Sequence, residues 1–153
     1  MNDPWHNQLM AQALNLARKG AAAEEVPIGA LVVEVETGRI LGAAHNETFR
    51  NNDPTAHAEI LAIRAACLTL GSPYLPTCDL IVTLEPCPMC AQAVAFARIR
   101  RLVYAAGDPK GGGVEHGPRI FQQPTCHHRP EIFSGIMEEE AGNLLRGFFS
   151  ERR

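Results

Sequence analysis

Apolar residues recur at Trp5, Leu9, Ala13, Leu16 and Ala17, a helical spacing that predicts an amphipathic helix with Gly20 as its stop. Ile28–Val35 is rich in β-branched residues and Arg39–Ala44 is a second extended run. Glu36-Thr37-Gly38 between them reads as a hairpin turn. Ala56–Leu70 is rich in Ala and Leu and ends at Gly71, which predicts a second helix. Leu80–Leu84 reads as a buried strand, Pro88–Ala97 as a helix and Leu102–Ala105 as another strand. Met137, Ala141, Leu144, Leu145 and Phe148 space out a last amphipathic helix. Such alternation predicts an α/β fold, a sheet with helices on both faces, and Leu80–Ala105 as a right-handed parallel crossover. Asp108–Pro130, rich in Gly, Pro and His, is the one long irregular stretch, of a length usually functional or disordered. No repeat, linker or low-complexity tract interrupts the chain, so residues 1–153 are expected to form one domain.

Composition narrows the setting. The chain is 46% hydrophobic and 20% charged, ordinary for a globular protein. No apolar run reaches the roughly 18 residues needed to span a bilayer. Near the start, Asp3, Trp5 and His6 stand where a secretory signal would carry basic residues and then an apolar stretch. A cytoplasmic protein without membrane partners is expected. The formal charge of −3 announces no polyanion partner. Local basic clusters do occur: Arg98, Arg100 and Arg101; His127, His128 and Arg129; Arg146, Arg152 and Arg153. Each reads equally well as a solvated face. An odd count of five cysteines points away from a disulfide framework and towards metal or catalytic use of some.

Two segments carry the chemistry: Ala56-His57-Ala58-Glu59 and Glu85-Pro86-Cys87-Pro88-Met89-Cys90. Together they match the His-x-Glu and Pro-Cys-x-x-Cys signature of zinc nucleobase deaminases. A Cys-x-x-Cys pair at a helix start brings two sulfurs within reach of one ion, and the helix N-terminus favours their thiolates. His57, at the start of another predicted helix, makes a third donor. Three protein ligands leave one tetrahedral position for water, whose pKa zinc lowers towards ~7. Glu59 is placed to shuttle the proton from that water to the ring nitrogen and the departing amine. Cys67 and Cys78 read as core residues, and Cys126, His45 and His116 receive no role. Gly111-Gly112-Gly113 reads as a flexible turn, since no Gly-Lys-Ser/Thr follows.

At these residues the chain resembles the cytidine-deaminase-like superfamily and, within it, the bacterial tRNA-specific adenosine deaminases. Glu25-Val26-Pro27-Ile28-Gly29-Ala30, His45-Asn46, Asp53-Pro54-Thr55-Ala56-His57-Ala58-Glu59 and Val82-Thr83-Leu84-Glu85-Pro86-Cys87 carry the likeness. It continues through Arg98–Tyr104, Asp108–Gly112, His128-Arg129-Pro130 and Leu144–Phe149. The resemblance implies a three-layer α/β/α sandwich around a five-stranded mixed sheet, one zinc ion per subunit and a homodimer. It implies a tRNA anticodon stem-loop as partner, with the wobble adenosine of an arginine tRNA as substrate. By matching position, His57, Cys87 and Cys90 would hold the metal and Glu59 would be catalytic. Asn46 would hydrogen-bond the flipped base or its ribose, the backbone near Ala58 would touch the base edge, Asp108 would lie by the sugar, and Phe149 would splay the neighbouring bases. Such contacts suit a base read out of single-stranded RNA.

Two departures from the family pattern stand out. The segment 113–126 carries Val-Glu-His-Gly-Pro-Arg in place of a small-residue version, and no long basic tail follows Arg152-Arg153. A deaminase of a free base or nucleoside, guanine deaminase first, shares the zinc motif. Against it stand the arginines of 98–101 and the basic C-terminus, which a free base does not need. A structural-zinc module without catalysis is the rival from another class; it requires a fourth protein ligand and no work from Glu59.

Overall fold

A computed structural model describes residues 4–152. Strand β1 (Gly29–Glu34) shows how the layers arise, because both of its faces are apolar. Ala30 and Val32 point into one core, Leu31 and Val33 into the other. Strands β3 (Cys78–Leu84) and β4 (Arg101–Ala106) repeat this two-sided burial, with Leu80, Val82, Leu102 and Tyr104 on the first side and Ile81, Val103 and Ala105 on the second. Sheets buried on both faces need helices on both.

With β2 (Ile40–His45) and β5 (Glu131–Ser134) the sheet has five strands in the order β2-β1-β3-β4-β5. β1 runs antiparallel to β2 and β3, whereas β3, β4 and β5 are parallel. Helices α2 (Ala58–Leu70) and α3 (Pro88–Ala97) cover one face; α1 (Pro4–Ala22) and α4 (Glu138–Ser150) cover the other. The result is the expected three-layer α/β/α sandwich with a mixed sheet. Among the described residues no helix is long and apolar enough to cross a membrane.

Several boundaries differ from expectation. Gly20 does not stop α1, which runs on to Ala22 with Gly20 buried inside it. A Cβ there would lie 3.2 Å from the His45 side chain, so this glycine serves close packing. Helix α2 starts at Ala58 rather than Ala56, leaving His57 extended at its N-cap. The 108–130 stretch is neither loose nor disordered. Val114, Phe121 and Cys126 are buried in the α2/α3 core, and a short 3-10 turn (Ile120–Gln122) packs on α3.

Helix α2 lies directly on β2. A Cβ on Gly42 would sit 2.1 Å from the Ala62 carbonyl oxygen and 3.0 Å from the Ala66 nitrogen, both helix backbone. Gly42→Ala therefore pushes the helix bearing Glu59 off the sheet. Overpacking of this kind costs about 2 kcal/mol, and the expected fall in Tm of the zinc-loaded protein is roughly 4–8 °C by calorimetry.

Candidate active site

Two helix N-termini meet at one point. His57 is the N-cap of α2 and Cys87 the N-cap of α3; both have extended backbone, and neither uses its side chain to cap its own helix. Pro88 at the first position of α3 suits that entry, because its missing N–H would be unpaired in any case. The two capping side chains are thus free to face one another, with Cys90 one turn into α3.

His57 Nδ1 lies 3.6 Å from Cys87 Sγ and 3.4 Å from Cys90 Sγ. The three donor atoms fall within 4.8 Å of one another, and no other His, Cys, Asp or Glu joins the group among the described residues. Zinc bonds of about 2.3 Å to sulfur and 2.0–2.1 Å to nitrogen, held at a tetrahedral angle, separate nitrogen from sulfur by about 3.6 Å. The triad therefore fits zinc in donor chemistry and spacing. Three protein donors are the count of a catalytic site, not of a closed structural one. Cys67, Cys78 and Cys126 lie outside the group; Cys78 begins β3 deep in the core, and Cys126 donates to the His128 carbonyl at 3.2 Å.

The electrostatics agree. The Cys87 thiol is pushed down to about 4, chiefly by the hydrogen bond it accepts from Cys90 and, against burial, by the His57 ring. The bond to Cys87, reinforced by burial, pushes Cys90 up. His57 is raised, first by its hydrogen bond with Cys87.

Glu59 sits in the first turn of α2, buried beside this cluster. Burial, with the charge of Cys87 adding to it, pushes its carboxyl up to about 7. It also touches Cys90, yet Oε1 is buried with no hydrogen-bond partner among the described residues. An orphaned buried carboxylate oxygen next to three metal donors fits a site built for an ion and its water.

The other expected contacts fall into two places. Asn46 is buried, and its Oδ1 accepts the Ala58 N–H at 2.8 Å. Ala58's amide is thus committed to Asn46 and is not free for a base edge; the Asn46 Nδ2 is the group left over. Asp108 and Phe149 meet instead in a groove of about 660 Å³, with Val26, Ile28, Leu84 and Arg146 among its walls. Phe149 is 47% exposed and packs edge-on to Phe148. The groove lies outside the carboxyl ends of β3 and β4, where open α/β sheets bind ligands. The metal donors do not line it; the segment Leu84-Glu85-Pro86-Cys87 links the two. We take the donor cluster, not the larger groove, as the chemical centre, because only the cluster holds groups able to bind an ion and move a proton.

The arginine stretch 98–101 needs correction as a reason to expect RNA. Arg100 binds the buried Asp79 at 3.1 Å, and Arg101 lies over the Phe133 ring and 3.9 Å from Glu131. Arg98 stacks on Tyr74. Arg100 and Arg101 thus serve the fold, whereas Arg98 stays exposed. Arg146, by contrast, lines the groove. Besides Asp79, two buried carboxylates received no role from the sequence. Glu25 accepts the Phe49 and Arg50 N–H groups at 3.1 and 2.9 Å, and Glu85 organises the loop after β4. Their partners are too distant in the chain for any local pattern to show.

Three donors at two helix N-termini, a buried carboxyl beside them and this sandwich define a zinc-dependent hydrolytic deaminase. Residues 3–106 match the cytidine and deoxycytidylate deaminase zinc-binding region, and the chain belongs to that family. It is 56% identical over 144 residues to the tRNA-specific adenosine deaminase of Agrobacterium fabrum, covering 94% of this chain and 93% of that protein. A solved structure from studies of A-to-I editing by tRNA:A34 deaminases is 55% identical, with a TM-score of 0.86 over 89% of this chain and 97% of the other. The guanine deaminase of Nitrosomonas europaea is also similar, at 28% identity and a TM-score of 0.75, over 92% of this chain and 82% of that one.

Proposed function

We infer that the protein converts the wobble adenosine of a tRNA anticodon loop to inosine by hydrolytic deamination, with an arginine tRNA as its substrate. The observation that carries this reading is the convergence of His57, Cys87 and Cys90 beside the buried Glu59, in a chain that follows a tRNA-specific adenosine deaminase over nearly its whole length. When bound, zinc supplies a Lewis acid that renders water a nucleophile at neutral pH.

The chain's own residues do the rest. Glu59 takes a proton from the attacking water and passes one to N1 of the adenine ring; a further proton transfer to the 6-amino nitrogen lets it depart as ammonia. A carboxyl pushed to about 7 is matched to both roles near neutrality. Water adds its oxygen to C6 as ammonia leaves, so the reaction balances without a further reactant. Asn46, holding Ala58 N–H with its Oδ1, fixes the start of α2 and offers Nδ2 to the flipped nucleotide. The groove with Asp108, Arg146 and Phe149 takes the rest of the loop.

A homodimer of one-domain subunits belongs to the same proposal. Leu68 on α2 is 85% exposed and Phe96 on α3 71% exposed, two apolar side chains on the helices of one face that a second copy would cover.

Asn46→Ala leaves a buried amide unpaired and removes the base contact. The expected result is a fall in kcat/KM of about tenfold or more with zinc retained, measured on an anticodon stem-loop; unchanged kinetics would remove Asn46 from the site. The RNA reading itself is tested by titrating stem-loop binding against salt. Affinity should fall linearly on a log–log plot, with a slope of about −0.7 per phosphate contacted; a flat line would speak for a small uncharged substrate.

A further inference from the structure

One buried carboxylate holds the whole turn that follows β4. Glu85 Oε1 accepts the Asp108 N–H at 2.9 Å, and Oε2 accepts the N–H groups of Val114, Glu115 and His116 at 3.1, 2.9 and 3.1 Å. The His116 ring adds a fifth bond, Nδ1 to Oε1 at 2.6 Å. The Glu85 side chain is fully buried, whereas the His116 side chain is 39% exposed. Burial alone would raise the Glu85 carboxyl; the hydrogen bonds from Asp108, His116, Glu115 and Val114 outweigh it and hold it below the usual range. Four backbone N–H groups and one imidazole thus converge on the two oxygens of a single side chain.

The surrounding backbone is shaped to this anchor. Gly112 and Gly113 are buried, so the glycine run is not the flexible turn that its composition suggests. A Cβ on Gly112 would fall 2.4 Å from Glu85 Oε2, and one on Gly113 2.6 Å from Pro88 Cα. Gly113 N–H also donates to the Pro86 carbonyl at 2.8 Å. The loop thus rests on Glu85, Pro86 and Pro88, the residues flanking Cys87. Its other end, Gly107 and Asp108, forms a wall of the groove.

We propose that Glu85 and His116 are positioning residues for the deamination, locking the groove wall that carries Asp108 onto the chain segment that carries Cys87 and Cys90. Substrate bound along the groove is thereby registered against the metal donors through one carboxylate and one imidazole. The proposal rests on the groove being the RNA-binding face.

The test uses the zinc-loaded full chain with an anticodon stem-loop. His116→Ala should raise KM about tenfold, the value of one charge-assisted hydrogen bond, with kcat within about twofold and zinc content unchanged. His116→Asn, which can place an N–H where Nδ1 was, should restore most of the loss. Amide exchange at residues 114–116 should quicken in the Ala variant and return towards wild type in the Asn variant. An unchanged KM in His116→Ala, an equal loss in both variants, or unchanged exchange would overturn the clamp. A wild-type protein inert on the stem-loop would instead refute the RNA reading, and the exchange measurement would still decide the clamp.

Discussion

Glu59→Gln is expected to retain zinc and to lose turnover by about 10²–10⁴-fold, the range for removal of a general acid–base group. Glutamine keeps the shape and burial of the side chain but can neither take nor give the proton. Two features place the effect on chemistry and not on folding. The carboxyl is buried in the first turn of α2, and its Oε1 has no partner among the described residues, so no structural hydrogen bond is lost with that atom. Glu59 also lies outside the three-donor group that fits the metal. The check is a single-turnover rate at saturating RNA beside zinc analysis of the same sample. Turnover near the wild-type rate would require another proton carrier, and no other carboxyl is buried against the cluster among the described residues.

Cys90→Ala should be still more damaging. It removes a buried donor 3.4 Å from His57 Nδ1 and leaves two protein ligands where three fit a tetrahedral ion. Zinc content of the purified variant should fall well below one per chain, with activity below about a thousandth of wild type. Chelation of the wild type should have the same consequence, reversed by added zinc, whereas the variant should not recover. Loss of the ion should also lower Tm, because a ligand that binds only the folded state stabilises it by mass action. A variant that keeps stoichiometric zinc and activity would show that Cys90 is not a ligand.

The zinc constellation was readable from the sequence because short-range geometry carries most of it. A Cys-x-x-Cys at a helix entry is confined to one turn, and His57 needs only to open the neighbouring helix. The two-sided strands β1, β3 and β4 announced themselves as apolar runs. What escaped depends on long-range partners. Strand β5 has four residues, mostly exposed and preceded by Pro130, so it carries no apolar signature of its own; pairing with β4 makes it a strand. Gly20 looked like a helix stop, but the helix runs on to Ala22 and the glycine lets His45 approach it closely. Glu85 reads as an ordinary acid at a strand end until the amides 23 to 31 residues later fold back on it. Arg100 advertised a phosphate contact, yet Asp79 at the start of β3 takes its charge.

Guanine deaminase shares this fold, so the architecture alone does not choose the substrate. The most direct test is ammonia release by the zinc-loaded protein, offered an arginine-tRNA anticodon stem-loop, guanine, adenosine and cytidine in parallel. Turnover of the stem-loop alone, with inosine at the wobble position, is the predicted result. Turnover of guanine or a free nucleoside with the RNA untouched would leave the zinc chemistry standing and contradict the substrate.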